Sequence, residues 1–328
     1  MEDRVLGRTG RQVSVVGLGC WQLGADWGRV DDADAMAVLH AAVDAGVTFL
    51  DTADVYGDGR SERLIAAFLA DRDADVTVAT KCGRRADPHV PAAFTPENLR
   101  AWTDRSRANL RTDRLDLVQL HCPPTPVFSA DEVFDALDAL VEEGNLAAYG
   151  VSVETCDEAL TAIARPNVAS VQIILNAFRR KPLERVLPAA EEAGVGIIAR
   201  VPLASGLLSG KYDEHTTFAA DDHRTYNRHG EAFDVGETFS GVPFEVGVRA
   251  AAELAEIAAD LGVSTAALAL RWVIDQPGVS VVIPGARNAE QANANAAAAQ
   301  LAPLTPDTLE SIERIYNTQI HKHAHNRW

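Results

Sequence analysis

Four polar side chains of this sequence have the types and spacing that proton transfer to a carbonyl group requires. Asp51, Lys81 and His121 each end a short apolar run, and Tyr56 follows Asp51 by five residues. A phenol with an ordinary pKa of about 10 donates a proton poorly at neutral pH, and a neighbouring ammonium group such as Lys81 improves it by stabilising the phenolate. We expect Asp51 to hold and orient the lysine, and His121 to hydrogen-bond a carbonyl oxygen and so position a substrate or assist proton transfer.

Each of these residues also has an ordinary structural role. Asp51 could simply pair with Lys81 or cap a helix, Tyr56 could lie in a surface turn, and His121 could be a hydrogen-bonded core imidazole. A lysine at a strand end of a barrel also suits Schiff-base chemistry, so a lyase of aldolase type with Lys81 as nucleophile stays open. The convergence of all four groups at consecutive strand ends favours the proton-transfer site.

The elements that would position these residues alternate along the whole chain. Eight short apolar, β-branched runs bounded by polar turns predict parallel strands covered on both faces, and segments of helical period lie between them. Gly46, Gly144 and Gly194 follow three of the helical segments as C-caps do. The pattern predicts an α/β protein with one (β/α)8 TIM barrel as a single domain over residues 1–328. Predicted strands are 13–18, 47–51, 76–81, 115–121, 147–152, 169–175, 195–201 and 279–283, and predicted helices include 34–45, 61–70, 96–110, 130–143 and 183–193.

Three segments extend this barrel. Residues 5–7 and 13–16 predict an N-terminal β-hairpin. The long polar stretch 204–241 predicts a functional loop after the seventh strand. After an extra C-terminal helix the chain ends in a tail with alternating histidines at 321, 323 and 325. Without a carboxylate or cysteine beside them we expect no metal site there.

Composition excludes several classes of function. With 47% hydrophobic and 23% charged residues the chain resembles an ordinary globular protein. The formal net charge of −17 repels nucleic acid and anionic membrane surfaces, so an anionic ligand needs a local cluster of cations. The acidic N-terminus does not resemble a signal peptide, and four cysteines without a C-x-x-C pair indicate neither disulfides nor a zinc ribbon. We therefore expect a cytoplasmic protein with no nucleic-acid or membrane partner.

Two glycine-containing segments are candidates for binding a phosphate. Gly17 and Gly19 begin a G-x-G-x-x-G pattern that lacks its third glycine, so we interpret them as a tight turn of the first strand at the barrel mouth. A better anion site follows the last strand, where Gly285, Ala286 and Arg287 run into a helix. Free backbone N–H groups and a guanidinium converge there, at the phosphate-binding corner of many barrels.

The chain as a whole closely resembles the aldo-keto reductase superfamily, and its bacterial members in particular. The resemblance runs from the first hairpin to the last helix, with the motifs in the family's order. It implies a catalytic tetrad of Asp51, Tyr56, Lys81 and His121, with Tyr56 as general acid when a small aldehyde or ketone is reduced and as base in the reverse oxidation. It also implies a nicotinamide cofactor as hydride donor. The matching segments are DTADVYG at 51–57, SERLI at 61–65, TKCG at 80–83, LH at 120–121, GVS at 150–152 and PLASGLLSGK at 202–211.

The resemblance further implies where the cofactor and substrate bind. Arg287 in so acidic a chain favours NADPH/NADP+ over NADH. Trp21 and Trp27 would wall the substrate pocket with Tyr56 and His121. Arg200 stands where many relatives have an aromatic residue under the nicotinamide, and its charge would favour the reduced cofactor. The resemblance also implies that the tail, residues 321–328, forms part of the pocket rim or a subunit contact of a possible homo-oligomer. A non-catalytic NADP(H)-binding subunit, like the β-subunits of potassium channels, remains an alternative. The implied cofactor contacts are Gly285, Ala286, Arg287, Gln291 and Asn295 for the adenosine 2′-phosphate and adenine; Leu203, Ser205, Gly206 and Lys211 for the pyrophosphate; and Ser152, Gln172, Arg200, Trp21 and Asp51 towards the nicotinamide.

Overall fold

The computed structural model describes residues 1–24 and 30–328. It begins with a hairpin in which strands β1 (Asp3–Val5) and β2 (Gln12–Ser14) pair antiparallel. The predicted N-terminal hairpin is confirmed, although its first strand lies two residues earlier than expected. Between the strands, the Arg8 guanidinium donates hydrogen bonds to the carbonyls of Val168 and Ala193, which fixes the hairpin against the amino-terminal end of the main sheet.

The main sheet of the described residues has eight parallel strands in sequence order, as predicted. Its members are β3 (Leu18–Gly19), β4 (Phe49–Asp51), β5 (Thr77–Cys82), β6 (Leu117–His121), β7 (Tyr149–Ser152), β8 (Val168–Ile174), β9 (Gly196–Arg200) and β10 (Val279–Val282). Parallel bridges join Val16 to Val282 and Gly19 to Gly285, so the first strand also lies beside the last. The strands are buried throughout apart from Gly19, which agrees with the continuous apolar runs from which they were predicted.

Two apolar cores hold the sheet in place. A small core lies among the strands and the hairpin and includes Leu6, Phe49, Leu117 and Ile198. The larger core joins the outer faces of the strands to the helices. Because side chains of a strand alternate between the two faces, both cores are filled from the same short runs.

Helices follow the strands, and several of them begin at side-chain caps. Asp31, Thr95, Ser264 and Asn288 each accept a hydrogen bond from a backbone N–H of the first helical turn, which explains where these helices start. The described helices are α1 (Asp32–Asp44), α2 (Arg60–Asp71), α3 (Pro96–Leu110), α4 (Asp131–Glu142), α5 (Cys156–Ile163), α6 (Pro182–Ala193), α7 (His223–Tyr226), α8 (Phe244–Asp260), α9 (Thr265–Ile274), α10 (Ala289–Ala297), α11 (Pro306–Ile315) and α12 (His321–Ala324). In the described residues no single helix is long and apolar enough to cross a membrane; α8 and α9 meet that test only as a pair, bent by 89°.

Gly17 and Gly19 serve close packing and not a tight turn, contrary to our prediction. Neither has a positive φ. A Cβ atom on Gly17 would lie 2.9 Å from the carbonyl oxygen of Phe49, and one on Gly19 would lie 2.9 Å from that of Ile283. The first strand therefore needs glycine because its neighbours on either side approach it so closely.

Candidate active site

An acid, an amine and a phenol meet at the carboxyl ends of β4 and β5. Lys81 Nζ lies 2.5 Å from Asp51 Oδ1, 3.0 Å from the carbonyl oxygen of Thr52 and 3.4 Å from Tyr56 Oη. Lys81 and Asp51 are almost fully buried, whereas Tyr56 is half-buried. The structure thus brings these three predicted residues together.

The electrostatics favour a protonated phenol beside a protonated amine. Burial raises the pKa of Tyr56 to about 12, and the positive charge of Lys81 opposes this rise. Burial alone would lower the pKa of Lys81, but Asp51 and then Tyr56 raise it above its ordinary value. A lysine that stays charged and is held by three oxygen atoms suits an electrostatic role better than a Schiff-base nucleophile.

Two buried glutamines complete the support of Asp51. Gln172 Nε2 donates to Asp51 Oδ2 at 2.7 Å, and Gln119 Nε2 donates to the same oxygen at 3.2 Å. Both carboxylate oxygens are therefore hydrogen-bonded, which fixes the orientation in which Asp51 meets Lys81. Gln172 was predicted as a contact of the nicotinamide amide. Its second N–H donates to Gln119 Oε1 at 3.3 Å, so only its carbonyl oxygen remains for such a contact. The role of Gln119 was not predicted.

His121 lies at the end of β6 against a cation from a neighbouring loop. Its ring meets that of Tyr56 edge-on at 5.9 Å, and Arg84 Nη1 lies 3.2 Å from His121 Nε2. Burial and then the charge of Arg84 hold the pKa of His121 well below its ordinary range, so the imidazole is neutral. Arg84 is in turn held by Glu237, from the loop after β9, through Nη1 and Nη2 at 3.1 Å each. Our sequence analysis did not identify either residue.

One elongated cavity of about 520 Å³ connects these residues to the last strand. It is lined by most of the residues proposed from sequence: Trp21, Asp51, Tyr56, His121, Ser152, Gln172, Arg200, Leu203, Ser205, Gly206, Lys211, Gly285, Arg287, Gln291 and Asn295. Lys81 and Ala286 are buried behind its wall, and Trp27 lies outside the described residues. Tyr212, Arg224 and Glu237, from the predicted functional loop, also line it.

The far end of the cavity has the features of an anion site. The segment after β10 is held by α10, since the Arg287 N–H donates to Gln291 Oε1 at 3.0 Å and Asn295 Nδ2 donates to the Gly285 carbonyl at 3.1 Å. Gln291 and Asn295 thus shape this segment through contacts within the protein. The Arg287 side chain is exposed, and the amino termini of α9 and α10 both face the cavity. Such an arrangement attracts negative charge.

The segment 203–211 forms the adjoining wall in a strained conformation. Ala204 and Ser205 have φ of 47° and 55°, where non-glycine residues are uncommon. The Ser205 hydroxyl donates to the Glu237 carbonyl at 2.8 Å and accepts from the Phe239 N–H at 3.1 Å, so it holds the long loop in place. Gly206 has φ of 96°, and a Cβ there would lie 2.2 Å from Tyr212 Oη, which explains the glycine.

The charge of Arg200 is compensated, which corrects one expectation. Its Nη2 lies 3.0 Å from Glu154 Oε2, and its Nη1 lies 3.6 Å from Glu237 Oε1. Although burial opposes it, Arg84 and Arg200 hold the pKa of Glu237 below its ordinary range. A guanidinium that already faces two carboxyl groups gives no electrostatic basis for favouring the reduced cofactor.

Arg200 also lies among three side chains whose ligand atoms have the spacing of a metal site. Cys122, Glu154 and Glu237 have ligand atoms within 4.8 Å of one another. Arg200 Nη2 lies 3.7 Å from Cys122 Sγ, in addition to its contacts with the two carboxyl groups. A metal ion there would be placed against this guanidinium, so the group is better described as a buried ion-pair cluster.

The histidine-rich tail folds back onto the molecule. His325 bridges Tyr316 Oη at 2.8 Å and Glu184 at 2.9 Å, and its ring stacks on His321 at 4.3 Å. At the end of the tail, the Trp328 indole N–H donates to Asp234 of the long loop at 2.9 Å. The tail is therefore tied to the loop that carries Glu237.

This chain is similar to known proteins over almost its whole length. The model of the Aldo/keto reductase family matches residues 15–317. An aldo-keto reductase of Bacillus subtilis, YhdN, is 31% identical over 90% of this chain and 87% of its own length, and a probable voltage-gated potassium channel subunit beta of Oryza sativa subsp. japonica is 30% identical over 97% and 98%. Among solved structures, a glycerol dehydrogenase from Gluconobacter oxydans superimposes with a TM-score of 0.79 at 30% identity, covering 99% of this chain and 97% of the other. An aldo/keto reductase from Klebsiella pneumoniae, solved in complex with NADP and acetate, gives 0.72 at 24% identity, with 96% of each chain covered.

Proposed function

The chain belongs to the aldo/keto reductase family, and from this membership we propose that it is an NADP(H)-dependent oxidoreductase that reduces small aldehydes or ketones to alcohols. The observation that carries the proposal is Tyr56, held at 3.4 Å from Lys81 at one end of a cavity whose other end is an anion site. A proton donor and a cradle for phosphates, joined by one cavity, are what carbonyl reduction by a nicotinamide cofactor requires.

In this proposal each of the four polar side chains has a separate role in catalysis. Tyr56 Oη donates a proton to the carbonyl oxygen in reduction and accepts one from the alcohol in oxidation. Lys81 stabilises the phenolate that remains after donation, and Asp51 keeps the lysine charged and directed at Tyr56. His121, neutral and edge-on to Tyr56, limits the space in which the carbonyl group lies.

The cavity fits the proposed cofactor in chemistry. The nicotinamide, when bound, supplies a hydride to the carbonyl carbon. Arg287 and the N–H groups that begin α10 would bind an adenosine 2′-phosphate, and Lys211 with the segment from Leu203 to Gly206 would bind the pyrophosphate. Ser152 and the carbonyl oxygen of Gln172 lie at the Tyr56 end for the nicotinamide amide. The 2′-phosphate contact predicts preference for NADPH over NADH.

Cofactor binding is tested by fluorescence titration of NADPH and NADH with wild type, Arg287→Ala and Arg249→Ala. Arg249 is exposed on α8, and Arg249→Ala removes the same charge as Arg287→Ala, so this variant is the matched control. We expect Arg287→Ala to weaken NADPH binding at least about 10-fold, as the loss of a charge-assisted hydrogen bond predicts, and to leave NADH binding unchanged. Equal losses for both cofactors would contradict the assignment of Arg287 to the 2′-phosphate.

Catalysis is tested by NADPH oxidation with a panel of aldehydes. We expect Tyr56→Phe to lower kcat by about 100-fold or more, because general acid catalysis contributes on this order. Tyr149→Phe is the control, since Tyr149 begins β7 at the opposite end of the sheet and donates to Asp138. Tight binding of NADPH without turnover would instead favour a non-catalytic subunit. A substrate trapped on Lys81 by borohydride would favour the lyase.

The same proposal includes the architecture that carries the site. The bridges between the first and last strands support a closed (β/α)8 barrel. The match of the family model to residues 15–317 supports one domain over residues 1–328.

A further inference from the structure

Five side chains, one of them Tyr56, form a closed ring of contacts, which we call the contact ring. Trp21 stacks on Tyr56 at 5.9 Å, and Phe233 meets Trp21 edge-on at 6.0 Å. The guanidinium of Arg84 lies 5.4 Å from the centre of the Phe233 ring. Arg84 contacts His121 at 3.2 Å, and His121 returns to Tyr56 at 5.9 Å. Arg84 is the charged member of this ring, and three of the other members, Trp21, Tyr56 and His121, line the cavity.

Arg84 is held in a fixed orientation, and two of its N–H groups have no hydrogen-bond partner in the described residues. Nη1 and Nη2 both donate to Glu237 Oε1, and Nη1 also contacts His121 Nε2. A guanidinium carries five N–H groups. The Nε–H and the second Nη2–H, which lie on one edge of the guanidinium, have no partner in residues 1–24 and 30–328. This edge is the fork with which arginine binds oxygen acceptors.

The contact with Arg84 also determines what His121 offers. A guanidinium only donates hydrogen bonds, so His121 Nε2 is the acceptor and the proton of the neutral ring lies on Nδ1. Nδ1 has no partner in the described chain. On this side of the contact ring the available donor is therefore Arg84 and not the imidazole.

We propose that Arg84 determines substrate specificity by selecting carbonyl compounds with an oxygen atom on the carbon next to the carbonyl group. The inference rests on the proposed function, which places the carbonyl oxygen at Tyr56 Oη. The hydroxyl of a 2-hydroxyaldehyde or the carboxylate of a 2-oxo acid then accepts a hydrogen bond from the free edge of Arg84. A substrate with only carbon at this place leaves those N–H groups unpaired, and sites built to hydrogen-bond a substrate reject such analogues strongly.

The test compares glycolaldehyde with propanal, which replaces the hydroxyl by a methyl group, and adds glyoxylate for the carboxylate. kcat/KM with NADPH is measured for wild type, Arg84→Met and Arg85→Met. Arg85 is the next residue, but it pairs with Asp58 and is not part of the contact ring. The aldehydes are hydrated to different extents in water, but this does not affect the result, because each ratio compares kcat/KM of a variant and of wild type on the same substrate.

Because Arg84 also contacts His121, Arg84→Met can lower turnover of every aldehyde; we expect kcat/KM to fall about 10- to 100-fold more for glycolaldehyde, glyoxylate or both than for propanal. Arg85→Met should change none of them by more than about 3-fold. A loss on glyoxylate alone identifies a carboxylate as the acceptor, and a loss on both identifies any oxygen. Turnover of propanal shows that the variant is folded; if it is absent, Arg84→Gln, which is shorter and uncharged, replaces Arg84→Met.

Equal losses on all three aldehydes, or no loss on any, would overturn the proposal, since Arg84 would then act on the general shape of the site or not at all. Failure of the proposed function is a different result. In that case wild type oxidises NADPH with none of the three aldehydes, and both proposals fall together.

Discussion

Asp54, two residues before Tyr56, should make the protein less stable as the pH rises. Asp54 is fully buried, and neither carboxylate oxygen has a hydrogen-bond partner in the described chain. Its nearest cation is Arg105, with Nη1 at 3.8 Å. Burial raises the pKa of Asp54 from 3.8 to about 7; the carboxylate of Glu62 adds to the rise, and Arg105 opposes it.

The sign of the effect follows from proton binding. With its pKa raised in the folded state, Asp54 binds a proton more tightly there than in the unfolded chain. Its contribution to stability is therefore present below pH 3.8 and is lost as the pH rises to about 7. At about 1.4 kcal/mol for each pK unit, the full loss is about 4 kcal/mol. Asn has the same shape without the charge, so Asp54→Asn should avoid this loss.

Urea unfolding at pH 5, 7 and 8.5 measures the prediction. Asp54→Asn should gain about 2 kcal/mol over wild type at pH 5, where the unfolded chain is already ionised at this residue, and about 4 kcal/mol at pH 8.5. Asp73→Asn, an exposed change of the same charge, is the control and should track wild type at every pH. A difference between Asp54→Asn and wild type that stays constant with pH, or a variant less stable than wild type at pH 8.5, would refute the reasoning.

Two further predictions concern the supports of the site. Lys81→Met leaves Asp51 buried without its cation, so the free energy of unfolding should fall by about 3–5 kcal/mol in urea, and Lys81→Met/Asp51→Asn should recover most of it; a double variant as unstable as the single one would contradict the role of this pair. Trp328→Ala removes a hydrogen bond to Asp234, worth about 2 kcal/mol, so amide hydrogen exchange over residues 233–241 should speed up about 30-fold. Exposed Lys322→Ala should leave that exchange unchanged, and equal exchange in the two variants would show that the tail does not hold the loop.

The parts of the fold that periodicity encodes were predicted well. Runs such as 169–175 correspond to observed strands, here β8 at Val168–Ile174, because a strand buried on both faces needs consecutive apolar residues. The helix ends at Gly46, Gly144 and Gly194 could also be predicted from local sequence. These glycines have φ of 92°, 79° and 66°, the left-handed conformation that often ends a helix and that glycine favours. Asp51, Lys81 and His121 could be placed because residues that end neighbouring parallel strands share one edge of the sheet.

The parts of the site that come from loops could not be predicted. Arg84 and Glu237 are 153 residues apart, and nothing in the local sequence of either indicates the other. Their meeting depends on the course of the loop after β9, whose positive φ at Ala204 and Ser205 is set by tertiary contacts. Arg200 is an example. Its own sequence position predicts an uncompensated positive charge under the nicotinamide, whereas in the structure Glu154 and Glu237, which come from other segments, compensate that charge.

The two ends of the cavity differ in whether their cations are paired with acids. At the Tyr56 end each cation faces an acid: Lys81 lies against Asp51, and Arg84 and Arg200 share Glu237. At the other end, no carboxylate of residues 1–24 and 30–328 forms an ion pair with Arg287 or Lys211. In a chain with a formal net charge of −17, unpaired cations are the places to which a polyanion is drawn. An elongated ligand with phosphates at one end and an uncharged or weakly charged ring at the other is therefore oriented before it makes its specific contacts, with the ring directed towards Tyr56.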